Sequence, residues 1–380
     1  MRSRVCSTLT LSIALSCFAI SANAGTYTKA YAFTGSPDGS NPNGNIVAYS
    51  GKFFFTTAFG GVNSKGAVIS YDPATGTEAV LHSFGTGSDG QTPSAGLTLV
   101  GSTLYGTTVA GGDSGNGTVF EINPQLGSEA VLYSFLGGTD GSGPLGNLSF
   151  ANNYLFGTTN SGGKLNLGTV FRVDAVSGTE KVLHSFGDSL GSNPFTGLAS
   201  LGTYLYGTTY SGGSGSVGTV YKVSTASGSV RLVHSFTLTE GGYTQSDLVA
   251  VGTHLYGANL TGGAYGWGTI YKLTPGTGVV QVLYNFSASL APRDVYAPFT
   301  SYNGLLYGTS LNGGKYGYGT VFSVSPSSGF VKTLYSLTGG PTGGPTRGYL
   351  APLLLAGSTL WGTQTGNGVD DFGSLFSYTP

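Results

Sequence analysis

Between residues 97 and 135 the apolar positions fall into four short runs, LTLV, TLYGTT, GTVFEI and EAVLYSF, each bounded by Gly, Pro, Asn or Asp. Val, Leu, Tyr, Phe and Thr dominate these runs, which predicts four β-strands divided by turns and loops. The apolar residues are nearly continuous within a run rather than strictly alternating, as expected of a sheet covered on both faces. The connections differ in length. The first-to-second link is short (GST), and the third-to-fourth is a tight turn such as DPATG at 72–76 or SPSSG at 325–329. There Pro sets φ and Gly supplies the positive φ that follows. The other two connections, such as GTGSDGQTPSAG and VAGGDSGNG, are long. In an antiparallel meander alternate connections lie on opposite faces. Both long ones therefore fall on one face, where any binding site is expected.

The same pattern recurs along the chain. The YGTT element centres on Phe54, Tyr105, Phe156, Tyr206, Tyr256, Tyr307 and Trp361, in steps of 51, 51, 50, 50, 51 and 54 residues. GTVF-like segments keep step, beginning at Gly66, Gly117, Gly168, Gly218, Gly268, Gly319 and Gly373, and so does a third element of the type HSF or YSF. A period near 50 residues, rich in short strands, is the signature of a propeller. The predicted fold is all-β: a seven-bladed β-propeller with four antiparallel strands per blade. TKAYAF at 28–33 reads as a fourth strand with no unit before it, and GSLFSYTP at 373–380 as a third strand with no fourth after it. Pairing the two closes the ring and removes two raw edges. A glycine recurs mid-strand at Gly106, Gly157, Gly207, Gly257, Gly308 and Gly362, permitting close backbone approach, but the first unit has Phe55 there.

The leader changes how the composition reads. Arg2 and Arg4 precede the apolar run LTLSIALSCFAI, and ANA ends at Ala24, so residues 1–24 read as a secretory signal peptide and 25–380 as a single propeller domain. Cys6 and Cys17 both lie in that leader, which leaves no disulfide framework and no thiolate metal site in the remainder. The expected location is secreted or periplasmic. No later apolar run approaches the roughly 18 residues that span a bilayer. Charged residues are only 8% of the chain, and beyond the leader 13 basic and 16 acidic residues leave a net of −3. A nucleic-acid partner would require a basic stripe, and there is none to predict one.

Catalytic motifs are equally scarce. GDSGN at 112–116 is similar to a serine-protease nucleophile stretch but has no partners, and His82, His184 and His234 are strand positions of the repeat while His254 stands alone. There is no HExxH, P-loop or G-x-S-x-G. The Asp-Gly pairs at 38, 89 and 140, followed by Pro42, Pro93 and Pro144, read as turn starters with too few oxygens for calcium. DPATG is similar to a quinone-binding propeller turn, yet the tryptophan that should follow is absent. No cofactor and no metal are expected.

Two groups of residues depart from the repeat and are the candidate ligand-binding positions. The glycine loops of units five and six carry Tyr265, Trp267, Tyr316 and Tyr318, spaced two apart so that each pair can face one way and stack on a sugar. They can equally fold over the blade edge, as Leu165 and Leu167 would in unit three. The links to units five, six and seven gain Asp247, Arg293, Asp294, Arg347 and Tyr349, and the seventh glycine loop gains Asp370 and Asp371. Charges gathered in one sector could line a pocket, with carboxylates binding sugar hydroxyls or acting as acid and base. They are equally what drift in solvated loops would produce.

The recurring LYGTT..GG....GTVF......G...VLHSF....DG..P..GL across residues 27–380 resembles the tandem GloVer repeat of exported bacterial proteins. The resemblance implies secretion and a propeller, and brings no established catalytic residues. It also implies that an aromatic before GTVF is common, which favours a structural role for Trp267 and Tyr318. Three functions stay open: a non-catalytic binding or interaction module, with extracellular polysaccharide or a surface protein as its candidate partner; a polysaccharide hydrolase or lyase using the charged sector; and a structural envelope protein.

Overall fold

The computed structural model describes residues 25–187, 189–287, 291–338, 351–366 and 369–380. Among them seven antiparallel sheets follow one another around an axis, each with the strand order first, second, third, fourth. Blade 2, for example, comprises Thr98–Val100, Thr103–Thr108, Thr118–Ile122 and Glu129–Ser134. Blade 7 comprises Leu354–Ala356, Thr359–Gln364 and Ser374–Thr379, with Thr26–Ala32 as its outermost strand. Tyr27 pairs with Tyr378 and Ala32 with Ser374, so the first strand closes the ring as the sequence predicted. The segment predicted to be a leader lies outside the described residues. Among those residues no helix is long and apolar enough to cross a membrane.

The core is divided among the seams between blades. Phe54, Val68 and Phe84 of blade 1 pack on Leu104, Phe120 and Ile122 of blade 2, and comparable clusters fill the other six seams. Both faces of a blade are buried, which accounts for the nearly continuous apolar runs.

The mid-strand glycine makes room for a ring. A Cβ on Gly157 would lie 2.5 Å from Phe171 Cζ, and one on Gly106 or Gly362 would meet Phe120 or Phe376 as closely. The paired position holds Tyr221 opposite Gly207 and Tyr271 opposite Gly257. Blade 1 inverts the pair: Phe55 stands where the glycine would be and its partner is Ile69. The exception noted in the sequence is therefore a coupled change at both members of one strand pair, the smaller Ile69 offsetting part of the volume that Phe55 adds. A second glycine requirement lies at the start of GTVF, where Gly66, Gly117, Gly168, Gly218, Gly268, Gly319 and Gly373 all have φ between 92° and 106°. The threonines of YGTT and GTVF meet as buried hydroxyl pairs, such as Thr108 with Thr118 at 2.8 Å and Thr209 with Thr219 at 2.9 Å.

Gly157→Ala should cost about 1–3 kcal/mol in urea unfolding, the usual range for overpacking a core. Adding Phe171→Ile should restore part of that loss. A double variant no more stable than the single one would refute this coupling of volumes.

Candidate functional site

The long connections do share one face. The link into blade 2 and the glycine loop within it are joined by Ala110 pairing with Gln91 and Gly111 with Gly90. On this face the links from all seven blades converge on the axis, where they line a cavity of about 450 Å³. Its wall comes mainly from the three residues before the isoleucine, leucine or phenylalanine that immediately precedes each innermost strand. Asn45, Asn147, Gln245 and Asp247 supply polar groups from blades 1, 3 and 5, while Phe195, Tyr296, Pro298 and Pro352 supply rings and apolar surface.

A hydrogen-bonded chain crosses the mouth. Asp247 Oδ1 accepts from the Gly197 amide at 2.8 Å, and Asp247 Oδ2 accepts from Asn147 Nδ2 at 3.2 Å. Asn147 Oδ1 in turn accepts from the Gly96 amide at 2.6 Å, so one carboxylate ties together the links of blades 2 to 5. Burial raises the Asp247 carboxyl above the ordinary carboxylate range, against the opposing pull of those two donors. The Tyr221 hydroxyl is buried without a hydrogen-bond partner, and burial followed by the Asp247 charge raises its pKa. Asn45 Nδ2 donates to Leu97 O at 3.2 Å, which orients the amide, yet its Oδ1 is buried and unpaired, as is Asn43 Oδ1.

Of the candidates read from the sequence, Arg347 lies outside the described residues, as does Tyr349. Among the nine that are described, Asp247 is the one that lines this cavity. Trp267 and Arg293 come together instead at the seam of blades 5 and 6, the guanidinium 4.7 Å from the ring centroid. Such a pair contributes about 0.5–1 kcal/mol at an exposed site. Asp294 sits beside it at φ 57°, in a left-handed slot that Asn41, Thr92, Asn193 and Tyr243 fill in other links, and it accepts from Asn312 Nδ2 at 2.7 Å. Trp267, Tyr265 and Tyr316 are 41%, 65% and 50% exposed, while Tyr318 is half-buried. Lys315 lies 5.2 Å over the Tyr316 ring. Asp370 and Asp371 occupy a single 3-10 turn, both at positive φ. The charged sector is thus spread along the rim, and its loop acids answer partly to backbone geometry.

Sequence reasoning missed Asn45, Asn147, Gln245, Phe195 and Tyr296. Their signal was available: aligning the repeats on the apolar residue after each link shows the preceding position running Asn45, Gly96, Asn147, Gly197, Asp247, Pro298, Pro352, and the position two before it carries Phe195, Gln245 and Tyr296 in units four to six.

The Asp-Gly pairs, expected to start turns, instead end them: the Asp89 amide donates to Thr86 O and the Asp140 amide to Gly137 O. Asp38, Asp89 and Asp140 fold back onto the amides of Thr34, Gly85 and Leu136, closing the loop. Each also meets the third-element Tyr or His and a glutamate from the next blade. The Tyr31 hydroxyl donates to Asp38 at 3.1 Å and to Glu78 at 3.2 Å. The Tyr133 hydroxyl donates to Asp140 at 3.0 Å, and Glu180 shares a hydrogen bond with the same Asp140. Burial, then the Asp140 charge, pushes Glu180 up to about 8.

A family model described as the Gloeobacter/Verrucomicrobia repeat matches residues 15–111, 87–263 and 249–380. No curated protein matches the chain. Among solved structures, the extracellular domain of BT4673 from B. thetaiotaomicron is similar over 92% of this chain at 11% identity and a TM-score of 0.58, and this match covers 39% of that longer chain. A nidogen/laminin complex is similar over 74% of this chain and 92% of its own, at 13% identity and a TM-score of 0.46.

Two outcomes follow. Asp247→Ala strands the Gly197 amide and Asn147 and should cost about 1–3 kcal/mol in urea unfolding, whereas Asp247→Asn, which keeps the acceptor for Gly197 and loses the one for Asn147, should cost about half as much; equal costs would refute the bridging role. Because the folded-state pKa of Glu180 is raised, its stabilising contribution is complete below the unfolded value near 4.5 and is lost as pH rises through about 8. Glu180→Gln should therefore flatten the fall in Tm over that window, as read by calorimetry, and an unchanged slope would count against it.

Proposed function

The chain belongs to the Gloeobacter/Verrucomicrobia repeat family, and we propose that it is a non-catalytic, exported binding propeller whose ligand is a polyhydroxylated group, such as a polysaccharide end or side branch, held at the axial mouth. The repeat family and the propeller fold both fit an extracellular-type propeller of this kind. One observation carries the ligand class: the amide side chains of Asn43, Asn45, Asn147 and Gln245 line a cavity that also offers aromatic rings. Amides of this kind can both donate to and accept from ligand hydroxyls. Sugars present such hydroxyls on an otherwise apolar ring face, which Phe195 or Tyr296 can stack against.

Binding is favoured over hydrolysis by the acids available. A glycosidase places two carboxyl groups roughly 5–10 Å apart across the scissile bond. Among the described residues lining the cavity, Asp247 is the one carboxylate, and its oxygens are already engaged by Gly197 and Asn147. The aromatic rim is the weaker alternative, since Arg293 already lies against the Trp267 ring.

The test is a glycan array with a polysaccharide-retention assay, scoring bound ligand and released product together. Gln245→Ala and Tyr296→Ala should each weaken retention at least tenfold with the circular dichroism unchanged, while Tyr265→Ala should not. Product release, or axial variants that bind like the wild type, would refute this reading.

A further inference from the structure

The three seams that join a third-element residue, a loop aspartate and a glutamate of the next blade differ at one position. Tyr31 and Tyr133 are hydroxyl donors in two of them, and the seam of blades 1 and 2 has His82 at the same place. There the nearest approach of His82 Nε2 to Glu129 Oε2 is 4.0 Å, too long for a hydrogen bond, while His82 Nε2 lies 3.2 Å from Asp89 Oδ2. Glu129 consequently lacks the bond that Glu78 receives from Tyr31 and that Glu180 shares with Asp140. Its other oxygen, Oε1, is buried and unpaired. The side chains of Glu129 and Asp89 are 9% and 8% exposed. A carboxylate nine-tenths buried, with neither oxygen hydrogen-bonded, faces a second carboxylate and an imidazole.

We propose that this seam binds one divalent transition-metal ion of the zinc type, through His82 Nε2, Asp89 Oδ2 and Glu129 Oε2. One ligand atom from each residue lies within 4.8 Å of the others. Ligands of a tetrahedral zinc stand roughly 3.3 Å apart for bonds near 2.0–2.2 Å, so His82 and Asp89 are already spaced for it and Glu129 has up to about 1.5 Å to close. One nitrogen and two oxygens form a donor set that zinc accepts, with solvent completing the coordination.

The surroundings hold these groups in place. Asp89 is fixed by the Gly85 amide at 3.0 Å and the Gly90 amide at 2.7 Å, and the Phe84 ring packs edge-on against His82 with centroids 4.7 Å apart. Supporting contacts of this kind orient ligands at built metal sites. Glu121 adds a further nearby negative charge to those of Asp89 and Glu129, so the seam is short of positive charge. His82 is 20% exposed, which leaves the ion a path from solvent. Blade 4 provides an internal control. His234 pairs with Glu240 at 3.2 Å, but Val280 of the next blade stands where Glu129 would, so the third ligand is missing.

The experiment is isothermal titration of the tag-free, EDTA-stripped chain with zinc chloride, alongside thermal unfolding with and without zinc. The wild type should bind one zinc per chain and melt several degrees higher with it. His82→Tyr copies the neighbouring seams, so it should fold normally and lose at least 100-fold in affinity together with the zinc-dependent shift. Glu129→Gln should lose at least tenfold, and His234→Tyr should behave as wild type. A wild type that takes up no zinc, binding retained in both His82→Tyr and Glu129→Gln, or equal loss in His234→Tyr would overturn the assignment. None of these results bears on glycan retention at the axis.

Discussion

A four-stranded blade has two apolar faces and can bury neither alone, and every regular feature of this molecule follows from that constraint. Each face finds its cover only in a neighbour, so the blades must approach closely and must return on themselves. The close approach is built from the glycine-and-ring pair, in which Phe171 occupies the space that a side chain at residue 157 would take. The return is built from Thr26–Ala32 lying against Ser374–Thr379. Seven seam clusters of buried Phe, Leu, Ile, Val and Tyr take the place of one central core. The chain is therefore poor in charge and rich in glycine without being low in complexity.

The same constraint separates the parts that must repeat from the parts that can vary. Residues inside a seam are held by packing, and where one departs, as Phe55 does, its partner Ile69 departs with it. Residues at the mouth of the ring face a cavity, and there each blade brings a different set: amides from blades 1 and 3, an acid from blade 5, prolines from blades 6 and 7. A ring of similar blades thereby presents an asymmetric wall, in which polar and apolar groups from different blades stand side by side. The outer seams show a third regime, where one exchange of Tyr for His turns a hydroxyl donor that joins two acids into a nitrogen ligand beside them.

The fold was legible in the sequence because it rests on local and periodic signals. Strand runs, turn glycines and a period near 50 residues are each visible within a short window, and the complementary ends predicted closure. Trp267 and Arg293 were both singled out, but their pairing was not visible, because they belong to different blades. For the loop acids, departure from the repeat was an ambiguous signal for a physical reason. Asp294 meets a left-handed backbone slot that other links fill with Asn or Thr, so its departure from the repeat owes as much to backbone geometry as to chemistry.

The sequence by itself determined the number of blades, the strands within each and the face that carries the long loops, since hydrophobic pattern and turn chemistry act over a few residues. Tertiary structure alone decided which side chains meet. Asn147 and Asp247 are 100 residues apart and share a hydrogen bond across the axis, while His82 and Glu129 come from different blades and face one buried seam. Such contacts are set by the angle between blades once the ring has closed, and that angle comes from the packing of whole seams.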